Sequence, residues 1–228
     1  MNKRPRRVRA LTLATLVVVA TAAATAFVDA VKAARTAARA AQCLCGPGCF
    51  ALLLSSDFDR TGRPRPAVTF DASGRPMHSW RTLVWATQFP IVDPPYDFDL
   101  AWDDAANRLA AEKAPNEFVC QNSQDFPGAF TNFAAIVDAD ECSLDLIAAP
   151  GRAGPWPVVV EVPDSTIRWT EPRYVSPSQI AKYPSPSDPG GFAVVMSDGR
   201  VRRLSREEIL ASWAGAKAAI RAAKSPGR

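Results

Sequence analysis

The sequence predicts an α+β fold in which a long N-terminal helix packs on an antiparallel β-sheet and a further helix closes the chain. Residues 10–28 form an uncharged apolar run, and an alanine-rich stretch with helical spacing follows it. The second half contains short β-branched runs bounded by Pro, Gly and Asp. Ser205 and Glu208 form a capping-box pattern, which predicts that a last helix starts there.

The N-terminal segment predicts export of the chain. Residues 1–9 carry five basic side chains and no acid, and the apolar run that follows would be about 28 Å long as a helix, close to the ~30 Å hydrocarbon core of a bilayer. Basic flanks stay in the cytoplasm, so the body should lie outside. The alternative is a cleaved signal peptide, with small residues ending at Ala26. Either reading predicts an extracytoplasmic domain over 29–204, with a C-terminal helix and tail over 205–228.

Between these ends, turn-forming residues and the spacing of apolar residues predict the secondary structure elements. The first helix should reach about Gln42, and Gly46-Pro47-Gly48 should interrupt it before a second short helix. Ala67–Phe70 reads as a strand, Trp80–Phe89 as helix or strand, and Asp103–Ala114 as a short helix. Further strands are predicted at Phe130–Val137, Val158–Val162, Ile167–Thr170 and Phe192–Met196. Asp198-Gly199 predicts a two-residue type I′ turn between the runs FAVVM and VRRL.

Charge and motif content narrow the function classes. Both ends of the chain are basic, but residues 10–199 carry more acids than bases, so we expect no nucleic-acid partner. The sequence has no phosphate loop and no nucleophile elbow. A serine or cysteine mechanism needs a base, and His78 is the only histidine. His78 is therefore the only candidate base, and we expect a non-enzymatic protein without a cofactor.

Two metal hypotheses compete with plainer interpretations. Five cysteines in an exported chain predict disulfides with one thiol left over, but Cys43-x-Cys45-x3-Cys49 also offers closely spaced zinc ligands. Calcium could be held by acids of one loop, although a solvated acidic loop is the favoured interpretation. Those acids are Asp97, Asp99 and Asp103.

A series of short motifs, in order, resembles a family of pseudopilin-like envelope proteins of planctomycetes, a domain of unknown function. The matching pieces are Val31-Lys-Ala-Ala-Arg35-Thr-Ala-Ala-Arg39 with Gln42-Cys43, then His78-Ser79-Trp80-Arg81, Tyr96-Asp97-Phe98, Trp102-Asp103, Asn107-Arg108, Cys120, Thr131-Asn132-Phe133, Val160-Glu161-Val162, Trp169-Thr170-Glu171-Pro172, Gly190-Gly191-Phe192 and Asp198-Gly199. The family's pilin-like G-F-T-L-x-E segment is altered here, because residues 10–15 lack both the Gly and the Glu. Asp188 stands where the family's terminal signature has His.

The resemblance implies a pseudopilin-like fold and a structural or assembly role at the inner membrane, through residues 10–28 and with other envelope or pilin-like proteins as partners. It also implies a disulfide between Cys43 and Cys120, the two positions shared with the family; Cys45 with Cys49 is a weaker second pair. The matched motif residues are expected to be structural: His78, Trp80, Arg81, Tyr96, Trp102, Asn107, Asp198 and Gly199. Six tryptophans keep open an alternative, an exported module that binds a small molecule or glycan.

Overall fold

The computed structural model describes residues 4–62, 65–88, 95–119, 128–137, 155–162, 165–184 and 191–224. The chain divides into two compact units, Met1–Ala41 and Gln42–Arg228. The chain mixes helix and sheet, as the sequence predicts: a long apolar N-terminal helix, several sheets and a C-terminal helix.

The first unit is helical. Helix α1 spans Arg4–Thr61, and its stretch Thr12–Ala38 has a mean hydropathy of 1.9 with none of it buried. This stretch is long and apolar enough to cross a membrane, which suits either a single-pass anchor or a signal sequence. Its threonines turn their hydroxyls back onto the helix: Thr21 donates to the carbonyl of Val18 (2.9 Å) and Thr25 to that of Ala22 (2.9 Å).

The predicted break at Gly46-Pro47-Gly48 is wrong, because α1 continues through Pro47 to Thr61. Packing explains the continuity. A Cβ at Gly46 would lie 2.7 Å from the carbonyl oxygen of Glu117, so glycine allows the helix to approach that segment closely. Further along, Phe50 is fully buried. Burial of a large aromatic side chain here outweighs the hydrogen bond that a proline removes.

Strands and short helices fill the rest of the second unit. The hairpin of β1 (Val68–Phe70) and β2 (Pro76–Ser79) leads into α2 (Trp80–Gln88). Then come a 3₁₀ turn (Ala105–Asn107), α3 (Arg108–Ala111), a second 3₁₀ turn (Asn116–Phe118), β3 (Phe130–Thr131), β4 (Phe133–Ile136), β5 (Pro157–Glu161), β6 (Ile167–Arg168), β7 (Tyr174–Val175), α4 (Pro177–Ile180), β8 (Phe192–Met196), β9 (Val201–Leu204) and α5 (Arg206–Lys224).

The main sheet has five strands in the order β7-β4-β5-β8-β9. The expectation of an antiparallel sheet holds for three of its four pairings, but β4 and β7 run parallel. The reason is topological: β6 leaves the sheet to pair with β3, and the chain then returns as β7 along the free edge of β4. The sheet is therefore mixed.

Both faces of this sheet are buried. All five residues of β8 are buried, and their alternation divides them between two apolar clusters. Phe192, Val194 and Met196 share one face, as predicted, and pack in a cluster with Ile209 of α5. The opposite cluster gathers its apolar side chains around Phe50 of α1. The outer end of α1 and the C-terminal helix thus both contribute to the core of this unit.

The β8–β9 hairpin lies where the sequence predicts, but its turn differs. Met196 donates to the carbonyl of Arg200 (2.8 Å), so three residues, 197–199, form the loop and not two. Gly199 closes a turn by donating to the carbonyl of Met196 (2.9 Å), and it has φ +77°. A turn followed by a left-handed glycine is the common three-residue hairpin. The predicted type I′ turn is corrected to this form.

The last helix begins as the capping box predicts. The backbone N–H of Ser205 donates to the carboxylate of Glu208 (2.7 Å), and the N–H of Glu208 donates to the hydroxyl of Ser205 (3.1 Å). Each side chain thereby satisfies a backbone N–H group that has no partner inside the helix. Helix α5 then runs to Lys224.

Candidate functional site

A surface cleft of about 310 Å³ is the candidate site. It lies between β2 and the residues that lead into β7. Aromatic, proline and charged side chains share its lining, which consists of Arg75, Pro76, Trp102, Glu171, Pro172, Arg173 and Tyr174. Three separate chain segments form the cleft, so no local sequence motif predicts it.

One wall of the cleft is held in place by Arg81, which is fully buried. Its Nε donates to the carbonyl of Trp169 (2.7 Å), its Nη1 to that of Phe133 (3.0 Å) and its Nη2 to that of Glu171 (2.6 Å). Burial lowers the pKa of Arg81 to about 9, and the nearby Glu171 opposes that shift. The guanidinium is therefore still charged at neutral pH, and it ties α2 to the segment that carries the cleft wall.

The opposite wall is held by an ion pair and an amide. Arg75 Nη2 lies 2.8 Å from a carboxylate oxygen of Asp103, next to Trp102. The amide of the fully buried Asn107 accepts from the backbone N–H of Asp97 (2.7 Å) and donates to the carbonyls of Asp97 (2.9 Å) and Ala101 (3.0 Å). These bonds fix the loop that leads into Trp102.

His78 lies in β2 and bonds to the same loop. Its Nε2 is 2.9 Å from the carbonyl oxygen of Phe98, so this nitrogen carries the proton, and its Nδ1 accepts from the hydroxyl of Tyr96 at 3.0 Å. Burial lowers the pKa of His78, although the hydrogen bond to Phe98 opposes the shift. Burial also raises the pKa of Tyr96, so the phenol keeps its proton. His78 is thus neutral at pH 7 and joins the loop to β2.

Trp80 and the hairpin residues lie away from the cleft lining. Trp80 is fully buried, with its ring edge-on to Phe50 (5.3 Å between centroids) and to Phe118 (5.7 Å). Asp198 and Gly199 occupy the β8–β9 turn, where the Asp198 carboxylate accepts from the N–H of Arg200 (3.1 Å). Of the eight motif residues expected to be structural, Trp102 alone lines the cleft, and Glu171 and Pro172 of the matched Trp-Thr-Glu-Pro piece line it as well.

Two of the three acids of the calcium hypothesis make other contacts. Asp97 accepts from the backbone N–H of Asp99 (2.9 Å), and Asp103 is paired with Arg75. Among the residues that the structure describes, no three His, Cys, Asp or Glu side chains come together to hold a metal ion.

The cysteine predictions are tested only in part. Cys49 has an exposed thiol that is free in this structure. The weaker pairing of Cys45 with Cys49 stays a prediction, because the side chain of Cys45 lies outside the described residues. The pairing of Cys43 with Cys120 falls on side chains outside the described residues, as do the other thiols of the zinc alternative.

Sequence reasoning missed the charged groups that organise this unit. Asp57 is fully buried at the end of α1, where Arg60 and Arg65 both bond to its carboxylate. Burial acts to raise the pKa of Asp57, but the hydrogen bonds from the two arginines outweigh it and lower the pKa. The only sequence signal for this cluster was the presence of three arginines within eight residues after Asp57. Arg173 and Tyr174 of the cleft carried no signal at all.

No family model matches the sequence, no curated protein matches it, and no solved structure matches the fold. The class defined by the structure is therefore a mixed helix-and-sheet domain that follows an apolar N-terminal helix.

Proposed function

We propose that this chain is an exported, pseudopilin-like envelope protein with a non-enzymatic role in structure or assembly. The stretch Thr12–Ala38 carries the proposal. It exposes large apolar side chains, among them Leu16 at 65% and Phe27 at 69%. Such a surface is costly in water, so it requires lipid or a partner. The basic residues before it place the N-terminus in the cytoplasm and the body in the periplasm.

The polar interior supports a structural role. Arg81, Asn107 and His78 all bond to backbone carbonyls of neighbouring chain segments. Asp57 is neutralised by arginines near the end of its own helix. Each of these buried groups has an architectural partner, and together they stiffen a loop-rich domain. A domain built in this way suits display of a fixed surface outside the membrane, with other envelope or pilin-like proteins as partners.

The anchor and the topology can be tested together. A reporter that works only in the periplasm, fused after Arg228, should be active, and the protein should stay in the membrane pellet after alkaline extraction. A matched variant that lacks residues 10–28 should lose both properties. Activity of a cytoplasm-only reporter in the same position would refute export. Intact mass separates the two fates: retention of residues 1–26 indicates an anchor, and their loss indicates a secreted periplasmic form.

The cleft favours a second candidate, an exported binding module. A concave surface with two aromatic side chains and charged groups at its rim has the composition of a small-molecule site. The two roles are compatible, because the binding surface would be carried by the anchored domain. Ligand binding by the purified chain would establish the second role whatever the outcome of the fractionation.

A further inference from the structure

We infer that the cleft binds a carboxylated sugar, with the sugar ring against Trp102 and the carboxylate at the guanidinium of Arg173. This inference rests on the binding role proposed for the cleft and not on the membrane anchor. Its volume of about 310 Å³ lies at the lower end of the roughly 300–1,000 Å³ that small-molecule sites occupy. The expected occupant is therefore one or two rings.

The apolar lining suits a ring. Trp102 and Tyr174 are both partly exposed, and each offers a flat face that can cover the C–H face of a sugar. Pro76 and Pro172 complete the lining with side chains that have little conformational freedom to lose. Such contacts bury apolar surface of the ligand without requiring a hydrogen bond to every ligand hydroxyl.

The guanidinium groups of the cleft suit a ligand with a single carboxylate. Arg75 and Arg173 have side chains that are 57% and 49% exposed, and each uses Nη2 in an ion pair, with Asp103 at 2.8 Å and with Glu171 at 2.5 Å. A guanidinium has five N–H donors, so donors remain for a ligand. Because two carboxylates already balance the two arginines, net charge does not draw a phosphate or a polyanion into the cleft. Selection rests on the remaining N–H donors, which match the two oxygens of a ligand carboxylate in a bidentate pair.

The walls are set before a ligand arrives. The Glu171 wall is fastened from below by Arg81, and the Trp102 wall is fastened by Asn107 through the loop before it and by Asp103 beside it. Binding to a site whose walls are already ordered costs less free energy. A proline-rich peptide could also lie on the aromatic side chains, but it would leave the arginine donors unused. The sugar acid uses both features.

Titration calorimetry on the purified full chain in detergent micelles tests the inference. The probe is the disaccharide of galacturonic acid, the neutral control is a galactose disaccharide of the same linkage, and a proline-rich peptide forms the third arm. We expect binding of the acidic sugar at least tenfold tighter than of the neutral one. Arg173→Gln should remove that preference, and Trp102→Ala should weaken both sugars at least tenfold, whereas Trp102→Phe should retain most of the affinity.

Two controls lie outside the cleft: Arg202→Gln on β9 and Leu109→Ala on α3 should bind like the unchanged chain. All variants are first compared by circular dichroism, and the Phe and Gln variants keep the test valid where the Ala variant fails to fold. Equal affinity for both sugars, no binding of either, or binding of the peptide alone would each overturn the inference. None of these outcomes bears on the fractionation test of export.

Discussion

Replacement of Arg81 by methionine tests the buried guanidinium. Methionine keeps an unbranched apolar stem of similar reach and removes the charge and all its donors. Two of the three carbonyls retain a second donor: that of Trp169 keeps the hydroxyl of Ser79 at 3.2 Å, and that of Glu171 keeps the N–H of Arg173 at 2.8 Å. The loss therefore concentrates on the carbonyl of Phe133. Phe133 is buried, and a buried carbonyl without a donor costs about 1–3 kcal/mol.

The magnitude follows from opposing effects. The carbonyl of Glu171 loses one of two donors and is never left unsatisfied, so its contribution is small. Removal of the buried charge returns part of its desolvation cost, which reduces the net effect to about 1 kcal/mol. For a domain of this size that corresponds to a fall in Tm of about 2–4 °C.

Thermal melting of the full chain in detergent, followed by circular dichroism, measures this effect. Arg81→Lys is the matched control. Lysine keeps the buried charge but lacks the planar guanidinium that donates to three carbonyls at once. The lysine variant should therefore have a lower Tm than the methionine variant. A methionine variant that melts within about 1 °C of the unchanged chain, or a lysine variant more stable than methionine, would refute the reasoning on which this estimate rests.

Three further predictions concern the turn, the histidine and the cysteines. Gly199→Val should destabilise the protein by about 1–2 kcal/mol because a β-branched residue is strained at positive φ, whereas Asp198→Asn should melt normally because Asn suits the same turn. The lowered pKa of His78 means that the unfolded chain takes up its proton more readily, so Tm should fall as the pH drops from 8 to 5; His78→Gln should flatten that profile, and an unchanged slope would contradict it. Peptide mapping without reductant should find Cys43 joined to Cys120, and free thiols at both would end that proposal.

Local patterns predicted the elements whose causes are local. The capping box at Ser205 holds because its two hydrogen bonds involve residues three apart. A helix was predicted to start near Asp103, and the carboxylate of Asp104 accepts from the N–H of Ala106 (2.9 Å) at the start of the 3₁₀ turn. The hairpin position at Asp198-Gly199 was also correct, although the loop length was not. That length depends on the strand register, which the sheet partners of β8 decide together with the turn.

Long-range packing decided what the sequence could not predict. Helix α1 crosses Pro47 because Phe50 beyond it is buried against residues distant in sequence. The cleft needs Trp102 and Tyr174 together, and only the topology that returns β7 to the edge of β4 places Tyr174 in that wall. The resemblance implied a structural role for His78, but its partners Tyr96 and Phe98 follow from the fold.

The inward hydroxyls of the apolar helix change what its composition means for insertion. Threonine lowers the apparent hydropathy of residues 10–28, yet Thr21 and Thr25 donate to carbonyls within their own helix and leave their methyl groups free to face outward. A translocon or a bilayer therefore meets a surface closer to that of valine than to that of serine. Valine at these two positions should leave the partitioning of the segment almost unchanged, whereas asparagine, whose larger amide is harder to satisfy within one helix, should hinder it.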